Sequence, residues 1–209
     1  MMTISKNLFV TRAFDVNSFE TSNDEEGRIK GHAAVFGQTT NIGNCFYEVI
    51  ERGAFDECDL SDVMLHVNHN TSKIPLARAR NNNSTMTVNV DDKGLAINAL
   101  LDVNDNSESR AVYNAIKRHD LDGMSFAFFI KDQEWRGLDT KMPTRVIKKI
   151  KRVTEVSVVN KPAYSDASVE ARSSEIENAK EEIEEARNKS SNSNDQLELM
   201  KLKIKIKNM

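Results

Sequence analysis

Hydrophobic and polar residues alternate with a period of two through much of the chain, and this pattern predicts several short strands. Residues 63–68 carry aliphatic side chains at every second position, which predicts a half-buried strand that ends at His69. Residues 85–90 alternate in the same way, and the turn residues Asp91–Gly94 then lead into a second apolar segment, which predicts a hairpin. Two further strands are predicted over residues 125–130 and 153–159.

One segment, Ser109–His119, has the period of an amphipathic helix, because its apolar residues recur three and four positions apart. Asp105 or Ser107 is the predicted N-cap, and Gly123 is predicted to stop the chain just beyond the helix. The sequence contains no internal repeat. Many short strands and few helices favour a mostly antiparallel barrel or sandwich.

The pattern changes beyond Arg172. Residues 173–189 place their few apolar side chains on one thin helical stripe, and the polar segment Ser190–Asp195 follows. Every phenylalanine and proline and the single tryptophan lie before this tail, so the tail lacks the residues for a core of its own. We therefore predict a domain over residues 1–172 and a helical, low-complexity tail over residues 173–209.

Composition narrows the class of protein without indicating a chemistry. The 209 residues are 39% hydrophobic, and no apolar run approaches the roughly 18–20 residues that cross a bilayer. The apolar stretch near the N-terminus is too short for a secretory signal, and two cysteines are too few for a disulfide scaffold. Since 29 basic residues face 32 acidic ones, the charge gives no argument for nucleic-acid binding. The expectation is a soluble cytoplasmic protein without a membrane or nucleic-acid partner.

Four residues with metal-ligand chemistry lie in one short stretch, namely Cys45, Cys58, His66 and His69. The cysteines are not spaced as in a zinc knuckle, and two histidines three positions apart on a strand point to opposite faces. We predict ordinary strand residues here rather than a metal site. The segment Gly31–Gly37 lacks the pattern of a phosphate-binding loop or a dinucleotide fingerprint, so no cofactor is predicted either.

Three residues have ordinary structural explanations when each is considered alone. Ser125 begins an apolar strand without the second glycine of a GxSxG motif, which indicates a buried hydroxyl bonded to the backbone. His69 ends a strand at the entrance to a polar turn, where side chains can face a cleft, although most histidines are structural. Glu155 interrupts an apolar run, and an outward, solvated carboxylate is a simpler explanation than an inward one.

Taken together, these residues and their neighbours resemble a known family. The resemblance spans Phe9 to Arg172 and rests on five ordered blocks, which are GHAAVFG (31–37), YEVIERGAF (47–55), VNHN followed by IPLAR (67–78), DGMSFAFFI (122–130) and TEVSVVNKPAYSDASVEAR (154–172). Their order is similar to that in tailed-bacteriophage prohead proteases, the capsid-maturation serine proteases held to be relatives of the herpesvirus assemblins. Five ordered blocks are far more specific than a single Asn-His pair.

The resemblance implies an α+β fold, with a mostly antiparallel, assemblin-like β-barrel, a few flanking helices and the helical tail. His69 falls on the histidine of the family's Asn-His block, which implies the general base. Ser125 falls on the serine of the Gly-x-Ser-Phe block, which implies the nucleophile. Glu155 precedes the Ser-Val-Val run and is the implied third member, a place that a second histidine takes in assemblins. Either backbone N–H groups near Ser125 or the side chain of Arg78 are the candidate oxyanion donors.

Two residues depart from the family's pattern. Ala127 stands where many members have glycine after Ser-Phe, and Ala77 stands where a glycine often precedes the arginine of the Pro-Leu block. Both replacements are small, so the backbone is expected to be intact unless those glycines have positive φ.

The function implied by the resemblance is a serine endopeptidase that cuts the scaffold segment of the phage major capsid protein inside the procapsid, within the host cytoplasm. Self-cleavage is also implied, with Ser190–Asp195 as the predicted cut region. The tail is either a solvated helix with a disordered end or a segment that tethers the enzyme within the shell. A catalytically inactive capsid-assembly module is the alternative, and the joint presence of His69, Ser125 and Glu155 favours the enzyme. Whether the active form is a homo-oligomer, such as the assemblin dimer, stays open.

Overall fold

A computed structural model of the protein describes residues 8–14, 20–21, 27–160 and 175–189. In these ranges the chain forms strands β1–β11 and helices α1 and α2. The strands are β1 (Leu8–Phe14), β2 (Glu20–Thr21), β3 (Arg28–Val35), β4 (Thr40–Ile42), β5 (Phe46–Ile50), β6 (Asp62–Val67), β7 (Ala77–Arg80), β8 (Met86–Val90), β9 (Gly94–Leu100), β10 (Gly123–Arg136) and β11 (Thr144–Val159). The helices are α1 (Ser107–Lys117) and α2 (175–189). Neither described helix is long and apolar enough to cross a membrane.

The strands form two sheets. The larger sheet has seven strands, with β1, β10, β11, β5 and β4 in consecutive order and the β6–β7 pair attached to β11. The smaller sheet has the four strands β2, β3, β9 and β8. Most neighbouring strands are antiparallel, but β5 and β6 both pair with β11 in parallel. The expectation of a mixed fold that consists mostly of strands is confirmed.

The expected β-barrel is wrong, because the larger sheet branches at β11 and its edge strands, among the described residues, do not pair to close it. Near its start β11 pairs with β5, over residues 144–147, and near its end it pairs with β6, over residues 155–158. Register shifts along the β10–β11 pair bend both strands between these two regions. Within the described part of the chain, the side chains of Arg12 and Glu48 join β1 to β5, and no strand ladder does so.

One buried core contains side chains from both sheets. It joins Ile29 and Ile97 of the smaller sheet to Phe126 and Phe128 of β10, whose rings stack with 4.3 Å between their centroids. Since side chains alternate along a strand, β10 presents Ser125 on the face opposite these two phenylalanines. The core therefore fixes the strand on which the predicted nucleophile lies.

The predicted hairpin is present as β8 and β9. Its turn is closed by Asp91, whose carboxylate accepts hydrogen bonds from the backbone N–H of Lys93 at 2.8 Å and of Gly94 at 3.0 Å. A Cβ atom at Gly94 would lie only 2.0 Å from the carbonyl oxygen of Ala34. Glycine is therefore required where this turn meets β3.

Helix α1 begins two residues earlier than predicted. Its N-cap is Asn106, whose side-chain oxygen accepts hydrogen bonds from two backbone N–H groups of the first turn. The predictions of Asp105 or Ser107 as the cap were wrong, because the extended backbone at Asn106 directs its short side chain back toward those groups. Gly123 does not end the helix and is instead the first residue of β10.

Helix α2 confirms the helix predicted from the thin apolar stripe of the tail, over residues 175–189. Two residues of that stripe, Ala179 and Ile183, are buried in a second apolar cluster with Phe46 of β5. Trp135 of β10 packs against the same cluster, and its ring nitrogen donates to Glu182 at 3.3 Å. Helix α2 therefore packs on the strands of the larger sheet, whereas the predicted cut region Ser190–Asp195 lies outside the described residues.

Four charged side chains lie together where β1, β5, β11 and α2 meet, namely Arg12, Glu48, Arg145 and Glu175. The first three are buried, and Glu175 is partly buried. Arg145 donates from Nε to Glu48 at 2.8 Å and from Nη2 to Glu175 at 2.6 Å. Arg12 donates to the same two carboxylates, at 3.0 Å to Glu48 and 3.1 Å to Glu175. Burial raises the pKa of Glu175, but the two guanidinium groups outweigh burial and lower this pKa to about 2. Glu175 is therefore ionised at neutral pH, and two positive charges balance two negative ones.

Replacing Arg145 with methionine is expected to destabilise the fold by about 3–5 kcal/mol, because the buried carboxylate of Glu48 and the partly buried carboxylate of Glu175 then share one guanidinium group. Arg145 is fully buried, and its guanidinium group also lies over the ring of Phe46, 4.7 Å from the centroid. Urea unfolding of the full chain measures the loss as a lower midpoint.

Arg136→Met is the matched control for this substitution. Arg136 is exposed near the end of β10 and forms surface pairs with Glu51 and Glu134. Surface pairs contribute little to stability, so its loss is expected to leave the midpoint nearly unchanged. Equal midpoints for the two variants would show that the buried cluster makes no net contribution to stability.

Candidate active site

His69 lies in a tight turn after β6 and not on the strand itself, because β6 ends at Val67. The N–H of Asn70 donates to the carbonyl of Val67 at 3.0 Å and closes the turn. Its two central residues, Asn68 and His69, have φ values of +49° and +57°, the sign that a type I′ turn requires. Left-handed backbone is uncommon outside glycine, and it persists where neighbouring groups hold it. The turn brings the imidazole within reach of β10 and β11.

Ser125 lies near the start of β10 and is 0% exposed. Its hydroxyl oxygen lies 2.6 Å from Nε2 of His69 and 2.8 Å from the carbonyl oxygen of Arg12 on β1. Because a hydroxyl has one proton, it donates to one of these two acceptors at a time. The expected bond from a buried hydroxyl to the backbone is present, and the imidazole is a second neighbour of the same oxygen.

Glu155 points inward from β11 and is 4% exposed, so the simpler explanation of an outward, solvated carboxylate is wrong. Its Oε1 is hydrogen-bonded to Nδ1 of His69. Its Oε2 is buried and has no hydrogen-bond partner among the described residues. The bond to the imidazole explains how a carboxylate can lie in the mostly apolar final third of β11, since a buried charge requires a partner.

The structure joins the three predicted residues in one hydrogen-bonded chain, from Glu155 through both ring nitrogens of His69 to the hydroxyl of Ser125. A carboxylate on Nδ1 keeps the proton on that nitrogen and leaves Nε2 free to accept another. Nε2 can then remove the hydroxyl proton and convert a weak nucleophile into a reactive one. The arrangement is therefore suited to nucleophilic acyl transfer.

Arg78, one of the two candidate sources of oxyanion donors, lies on β7 with its guanidinium group bound to Asp62. Two hydrogen bonds of 2.6 Å each join the groups, and they lower the pKa of Asp62. This pairing directs the guanidinium group to the carboxylate on β6. Ala77 and Ala127, which stand where the family often has glycine, lie in β7 and β10 without positive φ, so alanine fits the backbone at both positions.

The other residues considered as metal ligands show no metal-binding arrangement. In the described ranges, no group of three or more histidine, cysteine, aspartate or glutamate side chains is placed to hold a metal ion. Cys45 and Cys58 are free, and burial raises the pKa of the Cys58 thiol to about 12. His66 is buried on β6, where burial lowers its pKa and favours the neutral imidazole.

Sequence reasoning missed two groups that hold His69. The hydroxyl oxygen of Ser157 accepts a hydrogen bond from the backbone N–H of His69 at 3.1 Å. Ser157 lies two residues beyond Glu155 on the same strand and so shares its face, and this period of two is the signal that could have identified it. The side chain of Asn68 donates to that of Asn160 at 3.2 Å, and no local pattern in the sequence indicates this contact.

Comparison with known proteins gives one match. A family model described as caudovirus prohead serine protease matches residues 12–182. No curated protein and no solved structure matches the chain. The matched range covers most of the protein and extends into helix α2. It includes His69, Ser125 and Glu155.

Proposed function

Since the chain belongs to the caudovirus prohead serine protease family, we propose that it is an active serine endopeptidase of capsid maturation. In this proposal Ser125 is the nucleophile, His69 the general base and Glu155 the carboxylate that orients the imidazole. The observation that supports it is the continuous hydrogen-bonded chain through these three side chains. An inactive assembly module has no need of a buried carboxylate on a histidine, because burying that charge costs free energy.

The reaction begins when Nε2 of His69 takes the proton of Ser125 and the hydroxyl oxygen attacks the carbonyl carbon of the scissile peptide bond. Glu155 stabilises the imidazolium that forms. The imidazolium gives its proton to the leaving amine as the peptide C–N bond breaks, and an acyl-enzyme ester remains on Ser125. Water, deprotonated by the same imidazole, then hydrolyses the ester and returns the hydroxyl group. Proton transfer by a positioned base accelerates such steps by roughly 10²–10⁴-fold.

Backbone N–H groups near Ser125 are the proposed oxyanion donors. The other candidate donor, the guanidinium group of Arg78, is held by two hydrogen bonds to Asp62. Because this group is already paired, the backbone is the favoured source of oxyanion donors. Backbone N–H groups at fixed positions also stabilise the tetrahedral oxyanion without reorganisation.

The proposed substrate is the scaffold segment of the phage major capsid protein, cut inside the procapsid within the host cell, and membership in the family supports this proposal. We also retain self-cleavage within Ser190–Asp195 as part of the proposal. Helix α2 ends before this segment and packs on the larger sheet through Ala179 and Ile183. A cut there would therefore leave the packed helix in place and remove only residues beyond it.

Labelling with a fluorophosphonate tests the proposed function, because this reagent forms a stable ester with activated serine hydroxyls. Incubation of the full chain is expected to give one adduct, located at Ser125 by peptide mass spectrometry. Processing of the capsid protein is expected to stop in proportion to labelling. Heat-denatured protein is the control and is expected to stay unlabelled.

Other outcomes of this experiment distinguish the alternatives. A chain that neither reacts with the reagent nor cuts the capsid protein, yet still assembles with it, would indicate an inactive assembly module. Processing that continues after complete labelling of Ser125, and that stops on addition of a chelator, would indicate a metal-dependent hydrolase. Either result would contradict the proposal.

A further inference from the structure

The turn that carries His69 is tied to the end of β11 by groups that take no part in proton transfer. The backbone N–H of Asn68 donates to the carbonyl of Val158 at 2.9 Å. The side chain of Asn68 donates to Oδ1 of Asn160 at 3.2 Å, and its own Oδ1 accepts from the backbone N–H of Asn160 at 3.3 Å. The contact is reciprocal, so it fixes both the position and the rotation of the turn.

Ser157 adds a contact to His69 itself. Its hydroxyl oxygen accepts from the backbone N–H of His69 at 3.1 Å, and its side chain is fully buried. In the strand ladders Ser157 lies opposite Ser125 on one side and opposite His66 on the other. One buried hydroxyl group therefore lies between the strand of the nucleophile and the strand that leads to the base.

We propose that Asn68, Ser157 and Asn160 are positioning residues for the general base, and we name this set the His69 clamp. This inference rests on the proposed protease function. Glu155 contacts the ring of His69, whereas the clamp fixes the backbone of His69. The imidazole can then move only by rotation about the side-chain torsions of His69. Fixing the backbone keeps Nε2 at 2.6 Å from the hydroxyl oxygen of Ser125.

The left-handed backbone alone does not explain these contacts. Asparagine tolerates positive φ better than most residues, which accounts for its presence at position 68 but not for a reciprocal bond to Asn160. Asn83 has a φ of +56° and lies exposed between β7 and β8. The end of β7 pairs with the start of β6, whereas His69 follows the opposite end of β6. It provides a control with the same residue type and the same backbone conformation.

Inactivation by a fluorophosphonate tests the clamp in the full chain, with kinact and KI measured separately. Asn68→Gly tolerates positive φ but removes the side-chain contacts, and Ser157→Ala removes the acceptor for the His69 N–H. Each is expected to lower kinact by about 10²-fold, the effect of misplacing a catalytic group by about 1 Å, with KI unchanged. Asn68→Asp keeps the Oδ1 acceptor and is expected to recover at least tenfold of the loss of Asn68→Gly.

The matched controls are Asn83→Gly and Ser109→Ala, and both are expected to react at the wild-type rate. Ser109 is buried in α1, and its hydroxyl has no hydrogen-bond partner among the described residues. Values of kinact within threefold of wild type for Asn68→Gly and Ser157→Ala would overturn the clamp. The clamp is also overturned if Asn68→Asp reacts no faster than Asn68→Gly. This second comparison does not depend on Ser157→Ala, so it still tests the clamp if that variant fails to fold. If the wild-type chain itself does not react, the proposed function fails instead.

Discussion

Ser125→Ala is expected to abolish processing of the capsid protein, with a fall in kcat of about 10⁶-fold. Alanine has no oxygen to attack the peptide carbonyl, and Nε2 of His69 then has no proton to accept from this position. The fold is expected to persist, since the change removes one hydrogen bond to the carbonyl of Arg12.

Co-expression with the capsid protein measures this effect as the ratio of uncut to cut product on a gel, with mass spectrometry of the new termini. Ser109→Ala is the matched control, because it also removes a buried serine hydroxyl. That hydroxyl has no partner in the described part of the chain, so processing is expected to continue at the wild-type rate. Normal processing by Ser125→Ala would remove Ser125 from the reaction and contradict the proposed function.

The candidate site could be located from the sequence only through the order of its blocks. Sequence separations of 56 residues between Ser125 and His69, and of 86 between His69 and Glu155, place these contacts beyond any local pattern. Alternation alone favoured an outward Glu155, since nothing in the apolar run around it indicates an imidazole on its buried side. The turn at His69 could not be predicted from the sequence either. Asn68 and His69 both have positive φ, so β6 ends at Val67 and not at His69 as predicted.

The fold was predictable where its contacts are local. The β8–β9 hairpin follows from alternation and from turn residues that lie between the two strands. The full lengths of β10 and β11 could not be predicted from the alternation. The end of β10 and the start of β11, which pair with each other, carry mostly charged and polar side chains, such as Glu134 and Lys148 at 3.4 Å from each other. The branch at β11 joins segments far apart in the chain, and period-two patterns do not specify which strands become neighbours.

The cluster of charged side chains between the larger sheet and helix α2 also could not be predicted, because it joins residues that are far apart in the sequence. Arg12 and Glu175 are 163 residues apart, yet they share a hydrogen bond of 3.1 Å. As sequence features, an arginine near the N-terminus and a glutamate in an acidic tail indicate solvated positions. Only the packing of α2 against Phe46 gives these charges a common buried environment.

Glu155→Gln is expected to lower kcat by about 10⁴-fold with little change in KM. An amide N–H turned toward Nδ1 of His69 forces the ring proton onto Nε2, where it blocks transfer from Ser125. An amide oxygen in the same place keeps the tautomer but supplies no charge to stabilise the imidazolium. Stability is expected to change little, because Oε2 of Glu155 has no partner to lose among the described residues, and a neutral amide is less costly to bury.

Steady-state cleavage of the capsid protein gives kcat and KM for this variant, and urea unfolding checks its fold. Glu134→Gln is the matched control, because it makes the same substitution at a surface carboxylate that pairs with Arg136 and Lys148, and wild-type kinetics are expected. A kcat for Glu155→Gln within tenfold of wild type would contradict the role of Glu155. His66 would then be the next residue to replace, because its buried imidazole interacts electrostatically with both Glu155 and His69.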